Sequence, residues 1–130
     1  MIEFPVIGSL DIGFISVAEN NNLIPFEVKR VFWTYGTPEP IVRGRHAHHE
    51  TKQIIIAVTG RILVTTEQAN GEVNVFVLDK PNQGLYVPPS VWHTMQYTQA
   101  AVQMVLASTL YSESDYIREY TKFKAIWSKA

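Results

Sequence analysis

The sequence predicts an all-β fold, a sandwich or barrel of many short strands followed by one C-terminal α-helix. Three observations carry this. Short apolar or alternating runs succeed one another at close spacing along most of the chain, the pattern of sandwiches and barrels. Two of these runs are joined by Asn70-Gly71, a strong local hairpin signal. Helical periodicity is confined to the tail.

The elements follow in order. Phe14 to Ala18 and Val28 to Trp33 read as early strands, separated by the turn-prone Asn20-Asn21-Asn22. Gln53 to Val58 is a short apolar run closed by Thr59-Gly60, and Arg61 to Glu67 follows at once. Val73, Val75 and Val77 share one face of the next strand. Between these two, Asn70-Gly71 predicts a type I′ turn and antiparallel neighbours. Leu85-Tyr86-Val87 runs into Pro88-Pro89, which marks a strand end because proline cannot join a central ladder. Residues 93–98 and 101–107 make two more strands. In the tail, Ser112 is the expected N-cap, with Glu113 and Asp115 in the first turn. Tyr116, Ile117, Tyr120, Phe123 and Trp127 then recur at helical spacing. That helix is expected on the outside of the barrel.

Bulk properties exclude several functions. The 130 residues read as one domain, with 46% hydrophobic and 18% charged residues. A formal net charge of -1 gives no surface for a nucleic acid polymer. The absence of cysteine removes disulfides, thiolate metal sites and a cysteine nucleophile. No apolar run reaches membrane-spanning length, and Met1 to Pro5 does not read as a signal peptide, so a cytoplasmic protein is expected.

Chemistry concentrates in Arg43-Gly44-Arg45-His46-Ala47-His48-His49. On a strand, His46 and His48 point to one face and His49 to the other. Two adjacent imidazoles can hold a metal or move protons near neutral pH. His93 follows much later, behind Pro88-Pro89-Ser90-Val91-Trp92. Three histidines can bind zinc. Gln53 offers only a neutral amide, a poor ligand for a divalent ion compared with a carboxylate. Arg30, Arg43 and Arg45 are suited to bidentate capture of phosphate oxygens. Phe32, Trp33, Tyr35, Tyr86, Trp92 and Tyr97 are divided between core and ring-stacking roles in a way that sequence leaves open.

The spacing of His46-x-His48, Gln53, Gly60, Pro88 and His93 resembles the paired motifs of the cupin superfamily, jelly-roll-like barrels built as double-stranded β-helices. More specifically, the chain resembles the dTDP-4-keto-6-deoxyglucose 3,4-ketoisomerases, a WxcM-like branch of the cupins. The matching blocks are Ile24 to Val31, Arg43 to His48, Gly84 to Val87, Val91 to Met95, Val105 to Ser108 and Asp115 to Tyr120. The chain departs from the family pattern at Leu10-Asp11-Ile12-Gly13, which lacks an arginine, at Phe32-Trp33 and at Arg45.

The resemblance implies an isomerase that uses neither metal nor cofactor and acts on a dTDP-sugar. It would convert dTDP-4-keto-6-deoxyglucose to a 3-keto-6-deoxyhexose, on routes to the deoxyamino sugars of lipopolysaccharide or S-layer glycans. It also implies a homodimer that exchanges N-terminal strands. His46 and His48 would be catalytic, one serving carbon and one the oxygens. Arg30, Trp33, Tyr35, Arg43, Arg45, Gln53, Trp92, His93 and Tyr97 would contact the substrate. A metal-dependent cupin enzyme, a sugar-nucleotide sensor without turnover and a 3,5-epimerase are the alternatives.

Overall fold

The structure, a computed structural model, describes residues 1–128; the side chains of Gln99, Trp127 and Ser128 lie outside the described set. The strands are β1 (Ile2–Glu3), β2 (Ile7–Ser9), β3 (Gly13–Ile15), β4 (Arg30–Thr34) and β5 (Val42–His48). They continue with β6 (Gln53–Gln68), β7 (Val73–Leu78), β8 (Gln83–Val87), β9 (Val91–Ala107) and β10 (Tyr116–Ile117). One helix follows, α1 (Tyr120–Ser128).

Two long bent strands organise everything else. β6 and β9 run antiparallel from Gln53↔Ala107 to Gln68↔Val91, with register shifts at Ala57/Thr59 and Thr59/Arg61. Bulges bend a strand sharply without ending it, so each long strand serves two layers. The first layer runs β1-β8-β6-β9-β4, using the early half of β6 and the late half of β9. The second runs β7-β6-β9-β5-β10, using the opposite halves. The strand breaks expected at Thr59-Gly60 and between residues 98 and 101 are therefore bends. Pairing along the full length of the partner strand outweighs the local turn chemistry, with Gly60 and Ala100 taking up positive φ at the bend.

Alternation puts Ile55, Ile62, Val64, Leu85, Val87 and Val105 between the layers, all nearly or fully buried. Each such side chain contributes roughly 1.5–3 kcal/mol relative to exposure. Ile54 and Ile56 face the other way and are covered by Phe4 and Ile24. A third cluster of Ala47, Ala69, Ile117 and Phe123 lies under α1.

Three local expectations are corrected. The β6–β7 hairpin forms, but only Gly71 has positive φ. Gly71 N–H bonds the Gln68 carbonyl at 2.9 Å and the Asn70 side chain accepts from Glu72 N–H at 3.0 Å. This closes a type I turn with a bulge rather than a type I′ turn. The first expected strand shrinks to Gly13–Ile15, in a hairpin with β2 that stands off the main sheet. The helix begins at Tyr120, not after Ser112. Ser112 caps nothing, Glu113–Asp115 is a single 3-10 turn, and Tyr116–Ile117 pairs with His48 and Ala47. That pairing is remote in sequence and wins over the local helical spacing. The helix does pack on the outside, with Phe123 fully buried; the side chain of Trp127 lies outside the described residues.

Candidate active site

The site is built by a bulge in β5. Arg43 pairs with Met95 and Gly44 with Thr94, and then His46 pairs with His93, leaving Arg45 as the extra residue. Gly44 and Arg45 have φ of 86° and 58°. A regular strand would put Arg43 and His46 on opposite faces. The inserted residue turns both toward the interior, while Arg45 is left exposed. Only glycine fits at 44, because a Cβ there would lie 2.8 Å from the His93 carbonyl oxygen.

Three imidazoles meet on this wall. The His46 ring is 4.7 Å from His93 and 5.0 Å from His48, centroid to centroid. Their ring nitrogens lie within 4.8 Å of one another, short enough for one oxygen atom to hydrogen-bond two of them. Each Nδ1 is already committed. His46 Nδ1 donates to the Gly44 carbonyl at 3.0 Å, and His93 Nδ1 to the Val91 carbonyl at 3.1 Å. His48 Nδ1 donates to the Asp115 carboxylate at 3.1 Å. A carbonyl or carboxylate only accepts, so the proton is on Nδ1 and each Nε2 carries a free lone pair.

Burial makes these rings weak bases. It pulls His46 down to about 4, helped by the neighbouring His48. It pulls His93 down to about 3, helped by His46. His48 is also lowered by burial, against the opposing pull of Asp115. All three are neutral at pH 7.

His46 opens onto a cavity of about 230 Å³ between the two layers. Phe32 and Thr34 of β4, Arg43 of β5, and Gln53 of β6 form its walls, with His93, Tyr97 and Gln103 of β9. Tyr116 and Arg118 close the remaining side. Tyr97 and Gln103 form a buried pair, in which the Tyr97 hydroxyl donates to Gln103 Oε1 at 3.2 Å. Burial pushes Tyr97 up to about 12, so it stays a neutral hydroxyl. The Tyr116 ring lies 5.0 Å from His46 and 4.5 Å from His48. The Arg118 guanidinium covers Tyr116 at 4.2 Å and pairs with Glu113 at 2.5 and 3.1 Å.

The residues expected at the site separate into two groups. His46, Arg43, Gln53, His93 and Tyr97 line the cavity. His48 does not; it is 2% exposed and stands just behind the lining, with its Nε2 buried and unpartnered. Arg30 is also off the lining, its guanidinium over Phe32 at 5.2 Å and Tyr111 at 5.7 Å. Trp33 and Tyr35 are 62% and 71% exposed. Phe32 and Thr34 take the inward positions of β4, so Trp33 projects outward. Trp92 packs against Tyr120 and Phe123 beneath α1. His49 is exposed, as the strand argument requires. Thr34, Gln103, Tyr116 and Arg118 were not anticipated. The last two were hidden because Tyr116 reads as helix in sequence.

The donor set fits a divalent ion only in part. One ring nitrogen from each of the three histidines lies within reach of the others, but the cavity wall adds the Gln53 amide and, among the described residues, no carboxylate. An ion held there by His46, His48 and His93 would supply Lewis acidity.

Comparison with known proteins places this site in context. The sequence profile of the family described as FdtA, WxcM-like, C-terminal matches residues 1–128. A TDP-4-oxo-6-deoxy-alpha-D-glucose-3,4-oxoisomerase from Aneurinibacillus thermoaerophilus is 40% identical over 118 residues, covering 90% of this chain and 84% of that protein. Among solved structures, the sugar 3,4-ketoisomerase QdtA from Thermoanaerobacterium thermosaccharolyticum, in complex with TDP, superposes with a TM-score of 0.93. It is 33% identical, covering 98% of this chain and 93% of that one. A histidine-to-asparagine mutant of QdtA, in complex with TDP-4-keto-6-deoxyglucose, matches with the same TM-score of 0.93 at 32% identity, covering 98% of this chain and 92% of that one.

Proposed function

The chain belongs to the FdtA, WxcM-like family, and on that premise we propose that it is a nucleotide-sugar 3,4-ketoisomerase. Its substrate is dTDP-4-keto-6-deoxyglucose and its product a dTDP-3-keto-6-deoxyhexose. The observation that carries this reading is a neutral His46 imidazole facing a small polar cavity, backed by two more imidazoles. The cavity of about 230 Å³ suits a single sugar ring. It falls below the roughly 300–1,000 Å³ of pockets that enclose larger ligands, so the nucleotide lies across the mouth. Arg43 and Arg118 on the cavity wall are the cations positioned to meet its diphosphate.

The reaction is a tautomerisation. His46 Nε2 takes the C3 proton, which the neighbouring C4 carbonyl acidifies, and the bond electrons pass to the C4 oxygen. The enediol then receives a proton at C4 as the ketone forms at C3. Proton exchange between O3 and O4 completes the change, so no redox equivalent enters or leaves. His46 is the carbon-side group because it alone of the motif pair lines the cavity. His48 serves the oxygen side, one bridging oxygen away. Gln53 and Tyr116 bound the space where negative charge develops. Remote binding of the nucleotide orients the ring.

A second copy of the chain completes the assembly. The β2–β3 hairpin pairs with no other strand of the described chain. It presents Leu10 at 93%, Ile12 at 84% and Ile15 at 63% exposure. Such an edge invites a partner strand, and we place the exchanged N-terminal strands of a homodimer there. Light scattering at micromolar concentration should give a dimer; a monomer refutes it. No helix among the described residues is long and apolar enough to cross a membrane, and the reading places the reaction in the cytoplasm.

The convergence of three imidazoles favours one rival, a metal-dependent enzyme. Turnover after exhaustive chelation separates the two. Full activity supports the proton-transfer reading, and loss restored by one divalent ion supports the rival. Tight binding of the nucleotide sugar with no turnover in either state would mark a sensor.

A further inference from the structure

We propose that Asp115 is a positioning residue of this site, which holds His48 in the one tautomer that leaves Nε2 free to accept a proton. The inference rests on the ketoisomerase reading, because the step it serves is proton exchange on the oxygen side.

Asp115 is fastened from several directions. Its Oδ1 accepts from Glu50 N–H at 2.7 Å. Its Oδ2 accepts from Thr51 N–H at 3.3 Å, from the Thr51 hydroxyl, and from His48 Nδ1 at 3.1 Å. Its own carbonyl accepts from His49 N–H at 2.9 Å. Thr51 is 1% exposed, and its hydroxyl also meets the Thr109 hydroxyl at 2.6 Å. Since Thr51 spends its proton on Asp115, Thr109 is the donor to Thr51. Every hydrogen-bond partner of the carboxylate among the described residues is therefore a donor, so the group is an anion that can only accept. Hydrogen bonding to these donors holds it below the usual carboxylate range despite burial.

The three imidazoles are not equivalent. His46 and His93 are held by backbone carbonyls, whereas His48 is held by a charge. An imidazole donating to a carboxylate has a fixed ring orientation and a more basic far nitrogen. The groups around His48 come from several elements. Arg30 of β4 and Arg118 beyond β10 oppose a positive charge there, and Asp115 favours one. His46, His93 and Tyr116 are the neighbouring rings. His48 Nε2 is buried and has no partner among the described residues. An unsatisfied buried acceptor is costly, and the His46 ring on the cavity side lies 5.0 Å away, close enough for one oxygen atom to bridge the two imidazoles. Placement follows from the fold. β10 pairs Tyr116 with His48, and this sets the preceding Asp115 beside the strand end.

The test is nitrogen-15 NMR of the imidazoles, with His48 assigned from a His48→Asn variant, alongside kinetics of Asp115→Asn. The resting protein should show His48 protonated on Nδ1 with Nε2 bare. In Asp115→Asn the amide can donate to Nδ1, so the proton should move to Nε2. kcat should then fall about 100-fold or more with KM within about threefold. Three results overturn the proposal: an Nε2–H tautomer in the native protein, a folded Asp115→Asn that retains kcat within threefold, or a fall in kcat with the tautomer unchanged. If Asp115→Asn does not fold, the native spectrum decides. The tautomer is read without turnover. A native protein with the Nδ1–H form but no isomerase activity would refute the reaction and leave the Asp115–His48 assignment standing.

Discussion

Gly44→Ala tests whether the β5 bulge builds the site. Gly44 has φ of 86°, and a Cβ there meets His93 O at 2.8 Å, Met95 Cε at 3.2 Å and Thr94 Cα at 3.3 Å. The left-handed backbone costs a residue with a Cβ roughly 1–2 kcal/mol. Two of the three contacts are backbone atoms of β9 that cannot rotate away, which adds about 1–3 kcal/mol of overpacking. The sum is about 2–5 kcal/mol, and at roughly 3–5 °C per kcal/mol for a domain of this size Tm should fall by about 6–25 °C. Gly71→Ala is the control. Its φ is 96° but nothing lies within 4 Å of the added carbon, so it carries the backbone cost alone, about 1–2 kcal/mol. Thermal unfolding of the two variants isolates the clash. Steady-state turnover on folded Gly44→Ala should also drop by about tenfold or more, since Arg43 and His46 share a face only through the bulge. Equal Tm values for the two variants, or full activity in Gly44→Ala, would refute the bulge argument.

Two further outcomes follow from the same geometry. His46→Asn should abolish turnover while TDP binding by calorimetry stays nearly intact, and exposed His49→Asn should be mild; the reverse order would overturn the facing of β5. The stability of the fold should also fall with acid. His46 and His93 have folded values of about 4 and about 3 against an ordinary 6.5. Between these limits the unfolded chain binds more protons, so stability is complete above about pH 6.5 and is lost as pH falls toward 4 and then 3. For the fully buried His93 this is on the order of 2–3 kcal/mol by pH 4.5. Tm should therefore be clearly lower at pH 4.5 than at pH 7.5, and an unchanged Tm would contradict neutral buried imidazoles.

Much of this was legible in the chain, and the failures have physical causes. Alternation and turn residues located most strands, because burial of one face leaves a local signature. Bends are not local. Thr59-Gly60 looks like a stop until β9 is seen running past it. The histidine pair was readable because period two is a property of any strand. The positions of Arg43 and Arg45 were not, since they depend on which residue the bulge inserts. Trp33 and Tyr35 were expected at the substrate, but β4 turns Phe32 and Thr34 inward instead. Tyr116 and Asp115 were read as helix. Only the pairing of β10 with β5, a contact made across 68 positions between Tyr116 and His48, brings them to the site.

The central claim is a proton moved between C3 and C4, and turnover of dTDP-4-keto-6-deoxyglucose in deuterated water tests it most directly. Proton NMR should show the C3 proton of the substrate lost, the ketone at C3, deuterium at C4 to the extent that His46 exchanges with solvent, and C5 unlabelled. Deuterium at C5 with the ketone still at C4 would contradict the account and assign the site to 3,5-epimerisation.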